Sequence, residues 1–456
     1  MCALDSFASG VVRESFWFTL ATIINSVLGF LFWLLAALLT DAIEVGYATT
    51  GLSIAMLAST SLTLGLHYAA LKDIPIGGHR AFSSTLLLTI LLASVASVTA
   101  LSAKELFTGF DIYSYVTAAI TFFAAIGVTS SYALVALALS KQYAYSQAAA
   151  SVTRLTTLPL LVYLGLKGLG VELAYLTHFI TFTTLTLIFA SRRLKVTKPN
   201  TSDLERSLKI GLANYPLTLP SIVLSSGIVT FALTSAEPAQ VGALYISLML
   251  SSVVGAVIHG VSVTSLPAMV KDDDVTRTPT MLRWGLAAAT PLVAILLAAP
   301  NEILSLIGRD FAANPSTLRL AALSVPSAGA LMLTISRLNA ESKLLRICVA
   351  GIVQLATIVL LTTPLAALWS SSGAAFAYLL STLTPLPLVL KRGEVSPLVK
   401  SLAALTFTFV LLQLITLPSM LRIIITLIAS ISIVFAVKLI TAREVLIILR
   451  TVVSTF

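Results

Sequence analysis

The sequence predicts an all-α polytopic membrane protein with about 14 transmembrane helices. Hydrophobic residues make up 57% of the 456 residues and charged residues only 10%, whereas soluble domains contain about 25% charged residues. Apolar stretches of about 20 residues, the length that crosses a hydrocarbon core, recur along the whole chain. The polar–apolar alternation of a membrane β-barrel is missing, so we expect helices to satisfy the backbone hydrogen bonds.

Runs without charged residues locate the helices one by one. The first six are Phe16–Leu39, Val45–Leu66, Ala81–Ala103, Ile112–Leu139, Ala148–Gly165 and Val171–Ala190. The next four are Gly211–Thr234, Val241–Val270, Leu282–Ala299 and Thr317–Ser336. The run Ile347–Leu390 would span about 66 Å as one helix, so we expect two, with the break marked by Thr363-Pro364 and by Trp369–Gly373. A final hairpin comprises Pro397–Thr416 and Ser419–Leu439.

The distribution of positive charge predicts the orientation. With the N-terminus inside, 23 of the 28 Lys and Arg residues fall on inner segments or the adjoining helix ends. Cytoplasmic loops of membrane proteins carry such an excess. The outer segments hold the remaining five, which are Lys104, Lys167, Arg309, Arg319 and Arg422. We therefore expect a multi-pass protein of the cell membrane with both termini in the cytoplasm.

A polar, basic stretch at 191–209 predicts the domain organisation. It divides the chain into an N-lobe at 1–190 and a C-lobe at 210–390, and an extra hairpin and tail follow at 391–456. The steps Val45-Gly46 and Val241-Gly242 lie 196 residues apart at corresponding positions. Each lobe then has six helices that run in the same direction. Parallel repeats of this kind place the substrate path at their interface.

Polar residues inside the apolar segments are the candidate site residues, because such groups are costly in a membrane. All 19 carboxylates fall in loops or near helix ends, and Glu172 and Glu341 come closest to being exceptions. The polar set within the helices is instead neutral or basic, which suits an anionic headgroup. The predicted substrate-binding residues are Arg13, Asn25, Arg154, Asn214 and His259, and His178 and Gln354 belong to the same polar set. Helix–helix hydrogen bonding is the alternative for the neutral residues, and snorkelling to the inner face is the alternative for Arg154.

Other features carry less functional information. Pro216 and Pro220 should kink the seventh helix, either as a gate or only as a matter of shape. Cys2 and Cys348 are too few and too far apart for a disulfide framework or a zinc site. Phosphate-binding loops and metal-binding motifs are missing, so we expect no cofactor and no metal. The basic residues lie between apolar segments, which argues against a nucleic-acid partner.

Several weak motifs together resemble the polysaccharide flippases of the multidrug/oligosaccharidyl-lipid/polysaccharide exporter superfamily. The similarity covers roughly residues 10–395. The motifs are Arg13–Trp17, Val45-Gly46-Tyr47, Leu64–Lys72, Pro216 with Pro220, Val241–Tyr245 and Leu266–Met269. That family often has an acidic residue in the outer half of helix seven, and Ser225–Leu233 contains none. The resemblance therefore implies a fold and a substrate class, and the family's ion coupling is not carried over to this chain.

These observations predict a flippase rather than an enzyme. Its substrate would be an oligosaccharide linked to a polyprenyl or dolichyl phosphate or diphosphate, moved by alternating access of two rocking lobes. The expected partners are this lipid-linked glycan and membrane lipid, and we expect a monomer. A multidrug exporter of the same superfamily is the first alternative. A membrane glycosyltransferase or polymerase that uses Asp41 and Glu44 is the second, but no outer loop is long enough to form its catalytic domain.

Overall fold

The computed structural model describes residues 2–105, 111–234, 238–307, 314–413 and 418–454, and within these ranges it is helical without a β-strand. The first eight helices are α1 (Cys2–Leu39), α2 (Ala42–Leu62), α3 (Leu66–Leu101), α4 (Asp111–Ala136), α5 (Ser140–Leu161), α6 (Lys167–Ser191), α7 (Thr201–Thr234) and α8 (Pro238–Asp272). The others are α9 (Thr278–Ala298), α10 (Pro300–Ile307), α11 (Pro315–Ala340), α12 (Leu344–Leu383), α13 (Leu386–Val389), α14 (Arg392–Gln413), α15 (Ser419–Ala436) and α16 (Ala442–Val453).

The predicted all-α fold with about 14 membrane helices is confirmed. The break within the long run Ile347–Leu390 lies at Trp369 and Ser370, where the φ and ψ angles leave the helical region inside α12. Several helices begin earlier than predicted, α1 at Cys2 and α7 at Thr201 among them, because an amphipathic end can be helical without being apolar. Of the predicted outer cations, Arg309 lies outside the described residues.

The protein is a multi-pass membrane protein. Nine stretches of the described chain are long and apolar enough to cross a bilayer, and two of them, Ser140–Ser191 and Leu344–Val389, each contain a pair of predicted helices. Large apolar side chains such as Leu38, Val98 and Leu360 are exposed on these helices. In a soluble protein such exposure over many helices would be unfavourable, whereas lipid solvates these side chains.

The chain forms two compact units. One comprises Trp17–Thr218, and the other comprises Leu219–Phe456 together with Met1–Phe16. In the first unit α1, α2, α4, α5 and α6 share a core that includes Phe32, Ile120 and Leu158. In the second unit α8, α11 and α12 pack through residues such as Leu244, Ala321 and Ala375.

A buried ion network ties the end of α11 to α13 and α14 in the second unit. The Nε of Arg337 donates to Glu394 Oε1 over 2.6 Å, and its Nη2 donates to the Val389 carbonyl over 2.7 Å. Arg337 Nη1 also contacts Glu341 at 3.0 Å, and Lys343 and Lys391 pair with the same carboxylate. Burial acts to raise the pKa of Glu341, but hydrogen bonds from Lys343, Lys391 and Arg337 outweigh it and lower the pKa to about 2.

Gly51 on α2 marks a close contact between helices in the first unit. A Cβ at this position would overlap Glu172 Oε1 and would lie 2.7 Å from Thr117 Oγ1. We expect Gly51→Ala to lower the free energy of unfolding by about 1–3 kcal/mol, the usual cost of overpacking. Gly46→Ala is the matched control on the same helix, because nothing lies within 4 Å of its added Cβ. Thermal unfolding in detergent measures the stability of both variants. Equal stability of Gly51→Ala and Gly46→Ala would show that Gly51 is not closely packed.

The predicted orientation can be tested at Asn200, an exposed residue just before α7. Asn200-Thr201-Ser202 is an acceptable glycosylation sequon, whereas the proline in Asn314-Pro315-Ser316 forbids modification. The topology places Asn200 in the cytoplasm, so we expect no glycan there. An impermeant thiol reagent applied to intact cells should leave Asn200→Cys unlabelled, while Asp41→Cys in the predicted first outer turn should react. Labelling at position 200 would show that the chain has the opposite orientation.

Candidate functional site

Arg154 and Asn25, two of the predicted site residues, meet inside the first unit. Arg154 lies on α5, and its Nη2 donates to both the backbone carbonyl and Oδ1 of Asn25 on α1, each over 3.1 Å. Because α5 begins at Ser140, Arg154 lies about 21 Å along the helix at 1.5 Å per residue. Its side chain is held between helices and is 2% exposed. Snorkelling, the alternative considered for this residue, is therefore not what the structure shows.

Aromatic rings surround the guanidinium. Its central carbon lies 5.1 Å from the ring centroid of Tyr175 on α6 and 5.7 Å from that of Phe32 on α1. Cation–π contacts of this kind stabilise a charge where water is excluded. Gly29, one turn beyond Asn25, leaves room for the side chain, since a Cβ there would lie 3.2 Å from Nη2. The cluster of Asn25, Arg154, Tyr175 and His178 is called the arginine cluster below.

Two buried polar atoms of the arginine cluster have no hydrogen-bond partner within the described part of the chain. They are Nε of Arg154 and Nδ1 of His178. His178 forms a hydrogen bond with the backbone of Ala150 and interacts electrostatically with Arg154. No described carboxylate lies within ion-pair distance of Arg154. Among the described residues, the cluster therefore combines a positive charge and an available N–H donor with no counterion.

The first unit also buries carboxylates, namely Asp73, which pairs with Arg206 at 2.8 Å, and Glu172. Glu172 on α6 accepts a hydrogen bond from Thr117 Oγ1 over 2.6 Å, and its Oε2 has no described partner. The sequence placed Glu172 near a helix end, and the structure confirms that position on the second turn of α6. It is nevertheless fully buried, so a position near a helix end does not mean contact with water. Across the described residues no group of three His, Cys, Asp or Glu is arranged to hold a metal ion.

The other predicted site residues are Asn214 in the first unit and Arg13 and His259 in the second. Asn214 is buried on α7 and donates from Nδ2 to the Ile210 carbonyl of its own helix over 2.8 Å. It lies where α7 packs against Gly65, whose φ of +71° suits glycine. Arg13 is half-exposed and pairs with the adjacent Glu14 at 3.2 Å. His259 is half-buried on α8 in the second unit.

The two predicted gating prolines lie within α7, which runs as one helix from Thr201 to Thr234. A proline cannot donate to the carbonyl four residues earlier. Pro216 therefore releases the carbonyl of Leu212, and Pro220 releases that of Pro216. Gating by these residues remains a prediction.

The fold is shared with solved membrane transporters. A MATE transporter in a straight conformation superposes with a TM-score of 0.69 at 14% identity, over 88% of this chain and 97% of that one. A variant of the Vibrio cholerae MATE transporter VcmN gives a TM-score of 0.69 at 13% identity, over 89% of this chain and 100% of that one. The chain has the MATE transporter fold. No protein-family model and no curated protein sequence matches it.

A third solved structure has the same fold. It is an outward-facing multidrug resistance MATE transporter of the MOP superfamily, with a TM-score of 0.67 at 14% identity over 88% of this chain and 98% of that one. At such low identity the similarity establishes the fold alone. The choice between a glycolipid and a drug as substrate must come from the chain's own residues.

Proposed function

We propose that this MATE-fold protein is a MOP-superfamily exporter that flips a lipid-linked oligosaccharide, with the phosphate or diphosphate of the carrier lipid bound at Arg154. One observation supports the substrate class above all others. Arg154 is a buried cation without a described carboxylate partner. The effective cost of burying an ion is several kcal/mol, and a phosphate bound at this position would offset it.

The geometry of Arg154 suits a phosphate oxygen. Asn25 holds Nη2 and so fixes the plane of the guanidinium, while the Nε–H has no described acceptor. A guanidinium presents its donors as a rigid fork that matches phosphate geometry. The fork is therefore oriented before a ligand arrives, which lowers the entropic cost of binding. His178 Nδ1 is a second polar atom that can hydrogen-bond the headgroup.

A multidrug exporter is the second candidate. The buried carboxylate of Glu172 favours it, because a carboxylate attracts a cationic drug. However, Glu172 is held by Thr117 in the tight contact at Gly51, where little space remains for a drug. An enzymatic function receives no support from the transporters that share this fold.

Proteoliposomes that contain the purified protein distinguish the two candidates. One assay follows the translocation of a fluorescent polyprenyl-diphosphate glycan, and the other follows the transport of a cationic dye under imposed proton or sodium gradients. We expect glycolipid translocation and no dye transport. Dye transport without glycolipid translocation would overturn the proposal in favour of the drug exporter.

A further inference from the structure

The C-terminal helix α16 is an amphipathic element that hydropathy alone does not identify. It spans Ala442–Val453 and follows α15 after a turn in which Lys438 adopts a left-handed conformation with φ of 56°. Leu439 is fully buried beside Ala287 of α9. This turn ends α15 and redirects the chain, so α16 is a separate helix and not a continuation of the membrane span.

Glu444 fixes the start of α16 to α9. Its side chain accepts hydrogen bonds from the Thr441 backbone N–H over 2.8 Å and from Trp284 Nε1 over 2.9 Å, and it pairs with Arg283. Burial acts to raise the pKa of Glu444, but the bonds from Trp284 and Thr441 and the charge of Arg283 lower it. The carboxylate is therefore ionised at neutral pH and fully engaged, and it is the only acidic residue of α16.

The opposite face of α16 carries an exposed apolar stripe. Leu446, Leu449 and Val453 are 55%, 54% and 72% exposed, and at 100° per residue they lie on one side of the helix. Arg443 and Arg450, seven residues apart, are also exposed and lie together along one edge of this stripe. Apolar residues bordered by arginines are typical of helices that lie in the membrane interface.

We infer that α16 lies in the membrane–water interface and binds anionic phospholipid, with its apolar stripe among the acyl chains and Arg443 and Arg450 on the headgroup phosphates. Three features favour lipid over a protein partner. The preceding helix α15 also exposes large apolar side chains, Ile424, Ile428 and Phe435. The free charges of α16 are positive, and its acid is neutralised by Arg283. The predicted inner location matches the leaflet that is rich in anionic lipid.

Site-directed spin labelling tests the depth of the stripe in the full-length protein. In a Cys2→Ser/Cys348→Ser background, Leu446→Cys, Leu449→Cys and Val453→Cys are labelled in lipid nanodiscs. We expect these labels to be more accessible to oxygen than to a water-soluble nickel chelate. Asp273→Cys, in the exposed loop after α8, is the control and should show the opposite order. Chelate-accessible labels on α16 would show that the stripe faces water or awaits a protein, and would overturn the inference.

A second measurement tests the anionic specificity. A fluorophore on Val453→Cys is quenched by spin-labelled phosphatidylglycerol or phosphatidylcholine in mixed nanodiscs. We expect a preference for phosphatidylglycerol that falls about fivefold for each arginine replaced in Arg443→Gln and Arg450→Gln. Lys195→Gln, an equal change of charge at an exposed site of the other unit, should leave it unchanged. Equal quenching by the two lipids in the protein with both arginines would refute anionic recognition.

Discussion

Replacing Arg154 with alanine is expected to lower glycolipid translocation at least tenfold, because a charge-assisted hydrogen bond contributes about 1.5–3 kcal/mol. The substitution removes the charge and the free Nε–H together. Arg154→Lys should recover only part of the activity, since an ammonium is a point charge and cannot reproduce the guanidinium fork. Translocation is measured in proteoliposomes and expressed per folded molecule.

Two further variants separate binding from packing at the arginine cluster. Asn25→Ala removes only one of the two acceptors of Arg154 Nη2, because the backbone carbonyl of Asn25 remains. We therefore expect a smaller loss than for Arg154→Ala. Arg13→Ala tests the half-exposed arginine, which the sequence also predicted to bind phosphate. Full activity per folded molecule in Arg13→Ala/Arg154→Ala would contradict the anion-binding site and would favour the multidrug exporter.

The second large effect is expected on stability. Arg337→Ala should lower the free energy of unfolding by about 3–5 kcal/mol, because it leaves the buried carboxylate of Glu394 without its partner. Lys343→Ala is the matched control, since it removes a half-exposed partner of Glu341 and should cost less than about 1 kcal/mol. Arg337→Met/Glu394→Gln should recover much of the loss, because neither charge then remains buried. Equal losses in Arg337→Ala and Lys343→Ala would contradict the buried network.

The same network predicts how stability depends on pH. Because the folded pKa of Glu341 is lowered to about 2, its contribution is present above the ordinary carboxyl pKa near 4.5. It is lost as the pH falls from that value toward 2. Glu341→Gln should remove this part of the acid dependence, as measured by unfolding between pH 6 and pH 3. An unchanged acid profile in Glu341→Gln would assign the pH dependence to other groups.

Hydropathy was sufficient to predict the membrane helices, because each of them contains a long run without charged residues or with very few. The distance of Arg154 from the inner end of its helix was underestimated, because hydropathy does not detect polar helical turns. The first two turns of α5, Ser140–Gln147, are polar and were not counted as helix, which placed Arg154 too close to the inner end. The helix α16 was missed because twelve residues with two arginines and one glutamate form no long apolar run.

The partners of the buried charges could not be predicted from the sequence. Arg154 meets Asn25 across 129 positions of the chain, and Arg337 meets Glu394 across 57. Such pairs are formed by tertiary packing and leave no local pattern. Composition did identify Asn25 and Arg154 separately as costly groups in an apolar segment. The contacts of Tyr175 and Phe32 with Arg154 could not be predicted in this way, since aromatic residues are common in membrane helices.

The most direct test of the central claim is the affinity of the purified protein for two lipids that differ only in the phosphate. One is a polyprenyl-diphosphate glycan, and the other is the same glycan on the neutral polyprenol. We expect the wild-type protein to bind the diphosphate at least tenfold more tightly, and Arg154→Ala to lose this preference while folding normally. An equal preference for the diphosphate in the wild type and in Arg154→Ala would show that the arginine cluster does not recognise the phosphate.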